Sequence, residues 1–223
     1  MKIQEMKTKE SSGGYERVFN CKELGILLSK VQATVISNGT ELERMILSQS
    51  TVIENLDDFI SATEENKTEN GIYVAPKKIV KESKRTVKGI EPDLVIFIVE
   101  HKRVCKIIEV KDGFMFDTKK VKGEKQNLEF FATQFGSRIP FSTDYYICCF
   151  NETDKGRIRE GLKNEFELEH IMTGVELCDI LKISYIDIRK KRIQDSENNI
   201  DYFVSELVKI DTVRNKISNL LSK

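Results

Sequence analysis

Apolar residues recur at three- and four-residue steps through Leu42, Met45, Ile46, Val52, Ile53, Leu56 and Phe59, directly after the breaker Ser37-Asn38-Gly39. That spacing predicts one amphipathic helix with a single face on a core. A similar stretch from about Glu23 to Ile36 predicts an earlier helix. The period then shortens. Asn70 to Val74 reads as a turn entering a short strand that Pro76 stops, and a basic loop follows. Two strands rich in β-branched residues come next, Ile90 to Val99 and Val104 to Asp112, joined by the polar turn Glu100 to Arg103.

From Asp117 the helical period returns through Val121, Leu128, Phe131, Ala132 and Phe135, until Gly136 to Pro140 ends it. Asp144 to Phe150 is almost continuously apolar and predicts a strand buried on both faces. Two short helices with polar caps follow, within 151–162 and 173–183. The final stretch carries Phe203, Leu207, Ile210, Val213, Ile217, Leu220 and Leu221 on one face of a long helix, which either closes the core or meets a second copy. No repeat or linker divides the chain, so 1–223 is expected to form a single domain: an α/β fold with a central mixed sheet flanked by helices.

Composition narrows the function classes. The 223 residues can bury a core without covalent staples. The five cysteines, Cys21, Cys105, Cys148, Cys149 and Cys178, are an odd set without a CxxC pair, which suits a reducing compartment. The first residues lack the apolar centre of a signal peptide, and no stretch approaches the roughly 18 apolar residues of a membrane span. A cytoplasmic protein that touches no membrane is therefore expected. Thirty-six basic residues balance 36 acidic ones, so no global field draws in nucleic acid. Local fields remain. Six basic residues fall between Lys77 and Lys88, Lys84 and Arg85 among them; as a charge run this is either a solvated loop or a surface that reaches a polyanion.

The candidate chemistry lies at the ends of the two β-branched strands. Residues two apart on a strand share a face, so Glu109 and Lys111 stand side by side while Val110 turns away. Asp93 joins them if the hairpin register sets it across from Glu109 or Lys111, which requires an odd-numbered connection or a bulge. Two converging carboxylates repel unless a cation neutralises them, and hard oxygen donors favour Mg2+, which keeps waters and accepts phosphate oxygens. Such a site can polarise a phosphoryl group while the ammonium stabilises developing negative charge. The bland alternative is a surface ion pair of about 0 to 1 kcal/mol. Other chemistries lack support: only His101 and His170 exist, and GxGxxG, GxxxxGK[ST] and GxSxG are absent.

Asp93 in Glu-Pro-Asp, with Glu109 and Lys111 in Glu-Val-Lys, resembles the motif of the PD-(D/E)XK nucleases, type II restriction endonucleases in particular. The resemblance covers about 40–150, including the order helix, strand, strand, helix, strand, and leaves 151–223 as a C-terminal helical part. It implies a restriction-endonuclease-like core in which Asp93 and Glu109 hold Mg2+ and Lys111 sits near the attacking water. Glu43 matches the acidic residue that the family often adds from the preceding helix; Thr40 to Glu43 also reads as a capping box, in which Glu43 would do nothing catalytic. Lys119, Lys120, Lys122 and Lys125 resemble a helix laid along the DNA backbone, or form a solvated face. The resemblance further implies double-stranded DNA as substrate, a homodimer, and a companion DNA methyltransferase. A structure-selective repair or junction nuclease, or a noncatalytic DNA-binding module of the same fold, are the alternatives.

Overall fold

A computed structural model describes residues 1–7 and 13–222. Among these, six strands form one mixed sheet in the order β1 (Thr51–Val52), β2 (Gly71–Pro76), β3 (Leu94–Val99), β4 (Val104–Lys111), β5 (Ser142–Cys149), β6 (Ile171–Thr173). The three central ladders, β2 with β3 and β3 with β4 antiparallel and β4 with β5 parallel, carry the site. The helices are α1 (Gly13–Phe19), α2 (Lys22–Leu47), α3 (Leu56–Glu64), α4 (Lys77–Glu82), α5 (Thr118–Gly136), α6 (Lys155–Gly161), α7 (Gly174–Leu181), α8 (Tyr185–Lys209) and α9 (Asp211–Leu221). The fold is α/β, a mixed sheet flanked by helices, as the sequence pattern indicates. The chain divides into two compact units, Leu42–Tyr185, and Met1–Glu41 with Ile186–Lys223.

The sheet unit is built on β3, whose residues are nearly all buried. Its odd positions Val95, Phe97 and Val99 share one apolar cluster with Ile60 of α3 and Val121, Leu128, Phe131 and Phe135 of α5. Phe97 meets Phe141 and Phe135 edge-on, at centroid distances of 5.0 and 6.4 Å, a geometry that aligns ring edges with ring faces. The helical stripe read from 121 to 135 is therefore the face that lies on the sheet. Asp117 starts that helix, its carboxylate accepting from the backbone N–H of Lys119 at 3.0 Å.

Five features differ from the sequence expectation. Asn38-Gly39 does not break the chain: α2 runs through both, because Leu42 and Ile46 one turn on are fully buried and that packing outweighs weak local propensity. The helix expected across 40–59 is instead three elements. Ser48 and Ser50 hydroxyls donate to the carbonyls of Met45 and Ile46, ending α2, and Asn55 caps a new helix by accepting from Asp57 and Asp58 N–H. The basic loop is partly helical, as α4, with Val80 buried beneath it. In β5 only the C-terminal half is fully buried, while Asp144, Tyr145 and Tyr146 stay half-exposed. The long final helix starts earlier, at Tyr185, and is interrupted at Ile210.

Candidate active site

The hairpin register decides which side chains meet. Ile98 faces Val104 and Leu94 faces Ile108, so the connection holds five residues, an odd number, and the next position outward sets Asp93 across from Glu109. Asp93 is fixed twice. One carboxylate oxygen accepts from the Val110 N–H at 3.0 Å, and the other from the Lys77 ammonium at 3.3 Å. Its backbone carbonyl also accepts from the Lys77 N–H, which ties the start of α4 to the strand end.

Glu109 and Lys111 share a face of β4, and the Lys111 ammonium donates to Glu109 at 2.6 Å. It also donates to Glu124 of α5 at 3.0 Å. Asp93 and Glu109 are 8% and 9% exposed, which separates this cluster from an ordinary surface ion pair. A cleft of about 230 Å³ opens beside it, lined by Lys77, Glu91, Glu109, Glu124 and Asn127 among others.

Charge in this cluster is unbalanced. Burial, and then the neighbouring Asp93 carboxylate, push the Glu109 carboxyl up to about 7, although Lys111 pulls the other way. Burial and the Asp93 charge also raise Glu43, with Lys77 and Lys111 opposing. Burial alone would lower the Lys111 ammonium, but the Glu109 carboxylate outweighs it and holds the ammonium above its ordinary range. These shifts describe carboxylates crowded in low dielectric, short of positive charge.

The donors suit a hard divalent cation of the open kind. Among the described residues no three His, Cys, Asp or Glu side chains stand close enough to cage an ion. Asp93 and Glu109 offer two carboxylates at one strand end, and Mg2+ characteristically takes one or two carboxylates and leaves its other positions to water and phosphate. Glu43 lies within electrostatic reach of Asp93. It sits inside α2 rather than at a helix start, so the capping box expected at Thr40 does not form. A capping box does form at the start of α7, between Thr173 and Glu176.

The basic candidates separate into two kinds. Lys84, Lys119 and Lys120 are exposed. Lys122 pairs with Glu165 at 3.6 Å and Lys125 with Glu129 at 3.7 Å. Arg85 is committed to the protein: it holds both Glu64 oxygens at 2.6 and 3.0 Å and donates to Ser61 and to the Arg138 carbonyl. Two residues of the cluster were not singled out from sequence. Lys77 was legible only as part of a charge run. Glu124 carried a usable signal, since it is an acid on the apolar stripe of α5, three residues after Val121 and four before Leu128.

Similarity to a known protein settles the family. The type II restriction enzyme HhaII of Haemophilus parahaemolyticus is 56% identical over 213 residues, covering 94% of each chain. The chain belongs to the type II restriction enzymes. No family profile matches it, and no solved structure does. In this type II restriction enzyme Asp93, Glu109 and Lys111 meet at opposed strand ends, with Lys77 and Glu124 around them. No described helix is long and apolar enough to cross a membrane.

Proposed function

We propose that this type II restriction enzyme hydrolyses the phosphodiester backbone of double-stranded DNA at a specific sequence, with Mg2+ held by Asp93 and Glu109. The observation that carries this reading is the buried pair of opposed carboxylates with the Lys111 ammonium 2.6 Å from one of them. The same arrangement supports reading the chain as a PD-(D/E)XK nuclease. Bound there, Mg2+ would polarise the scissile phosphate and lower the pKa of a coordinated water.

The chain's own residues do the rest. The Val110 N–H and the Lys77 ammonium hold the two oxygens of the Asp93 carboxylate in place at the strand end. Glu109 and Glu124 grip Lys111 from two elements and hold its ammonium where negative charge grows on the phosphate. Glu43 adds a third acid near Asp93 and tunes how tightly the cation is held. Lys84, Lys119 and Lys120 contribute backbone phosphate contacts. Arg85 is a structural residue in this reading. Cleaving both strands of a symmetric site calls for two copies, hence a homodimer in the cytoplasm, with a companion methyltransferase protecting host DNA.

Digestion of a plasmid of known sequence tests the proposal. Discrete fragments with Mg2+, and none with chelator, are expected. Cutting of only branched or nicked substrates would instead indicate a repair or junction nuclease, and DNA binding that never leads to nicking a noncatalytic module.

A further inference from the structure

Two ammonium groups contact the acids of the Asp93 cluster, and they are held differently. The Lys111 side chain is 16% exposed and bridges Glu109 and Glu124 at 2.6 and 3.0 Å, so it keeps one carboxylate if the other turns away. The Lys77 side chain is 52% exposed and, among the described residues, pairs with a single carboxylate, that of Asp93, at 3.3 Å. The first is anchored and the second is not. A half-solvated ammonium on a flexible four-carbon stem gives up such a contact at little cost, because water takes the carboxylate's place.

The backbone beneath Lys77 is fixed even though its side chain is not. Its N–H donates to the Asp93 carbonyl at 3.0 Å, Pro76 before it pairs with Leu94, and Val80 one turn on is fully buried. The ammonium can therefore leave Asp93 and return about a stationary Cα. Where it rests is also where the acids converge. Lys77 lines the cleft together with Glu109 and Glu124. Burial alone would lower its ammonium, but the charges of Asp93, Glu109 and Glu43 hold it above its ordinary range. The Val110 N–H already takes one Asp93 oxygen, and Lys77 sits on the other. Two positive charges drawn to one buried carboxylate repel each other strongly.

We propose that the Lys77 ammonium competes with the divalent cation for the Asp93 carboxylate and so sets the Mg2+ concentration at which the site fills. This rests on the reading of Asp93 and Glu109 as the cation site. Lys77 is a positioning residue in it: its ammonium holds Asp93 at the strand end and withdraws as the carboxylate takes up the ion.

Calorimetric titration of the DNA-free protein with Mg2+, and a crystal structure grown with Mg2+, provide the test. Lys77→Met keeps the apolar stem and the backbone bond to Asp93 while removing the charge. Its dissociation constant for Mg2+ should be about tenfold lower than that of the unaltered protein, the scale on which one neighbouring charge moves an ionisable site. Lys77→Arg, which keeps the charge, should stay within about twofold of the unaltered value, and so should Lys84→Met, which removes an exposed charge from the same basic segment, away from the cluster. Equal tightening in either of these would overturn the proposal. In the crystal the Lys77 Nζ should lie beyond hydrogen-bond distance of Asp93 once an ion is bound there. A constant that is unmoved or weakened in Lys77→Met, or an ammonium still on Asp93 beside a bound ion, overturns the proposal and leaves the cation site standing. A protein that takes up no Mg2+ at Asp93, in solution or in the crystal, overturns both.

Discussion

Two acidic clusters in the sheet unit use the same residue types to opposite effect. Around Arg85, burial alone would raise the Asp57 carboxyl, but hydrogen bonds from the Ser83 hydroxyl and the Lys84 N–H hold it below its ordinary value. The paired Arg85 guanidinium lowers Glu64 too. Around Lys111 the carboxyls of Glu109 and Glu43 are raised instead, by burial and by the Asp93 charge. The first network is electrostatically settled and joins the Ser83 to Arg85 turn to α3. The second keeps negative charge crowded beside a cleft, which lowers stability unless a cation arrives. Charged residues at a strand end therefore point to chemistry when their charges remain unsatisfied, and to structure when hydrogen bonds have already satisfied them.

Substitution should separate the two clusters most sharply in activity. Asp93→Ala, Glu109→Ala and Lys111→Ala are each expected to reduce plasmid cleavage by on the order of 100-fold to 1000-fold or more while folding persists, since none of them opens a large apolar cavity. Asp57→Ala should leave the cleavage rate within about twofold and instead lower unfolding free energy by about 1 kcal/mol, the usual cost of losing such hydrogen bonds. Equal loss of cleavage in both sets would erase the distinction.

A pH series of unfolding experiments in chelator sharpens it further. Glu109 has a folded pKa raised to about 7 from an ordinary value of 4.5, so the folded state binds the extra proton and stability falls as pH rises through that window. Asp57 has its folded pKa lowered from 3.8, so its contribution is present above that value and is lost as pH falls below it. Glu109→Gln is expected to flatten the loss toward neutral pH and Asp57→Asn the loss in acid, each leaving the other limb in place. The Asp57 effect should be the smaller, because its side chain remains partly in water.

Much of this was legible in the sequence, for physical reasons that differ by residue. Period two on β4 fixed Glu109 and Lys111 on one face, and the apolar run of β3 fixed the strand that leads from Asp93. The odd connection that aligns Asp93 with Glu109 could be stated only as a condition, because five intervening residues do not by themselves choose a register. Glu43 could not be told from a cap, since Asn38-Gly39 suggests a helix start and only the burial of Leu42 and Ile46 carries α2 through it. Lys77 was hidden by its neighbours. A run of six basic residues looks uniform in sequence, yet the fold sends Lys77 to Asp93, Arg85 to Glu64, and leaves Lys84 exposed.

Thermal unfolding of the protein alone at pH 8, with increasing Mg2+, bears most directly on whether the Asp93 and Glu109 pair is a cation site. A ligand that binds only the folded state at 100 times its dissociation constant adds about 2.7 kcal/mol. The midpoint of the unaltered protein is therefore expected to climb with Mg2+, and that of Glu109→Gln to stay level. An equal climb in the variant, or none in the unaltered protein, would contradict it.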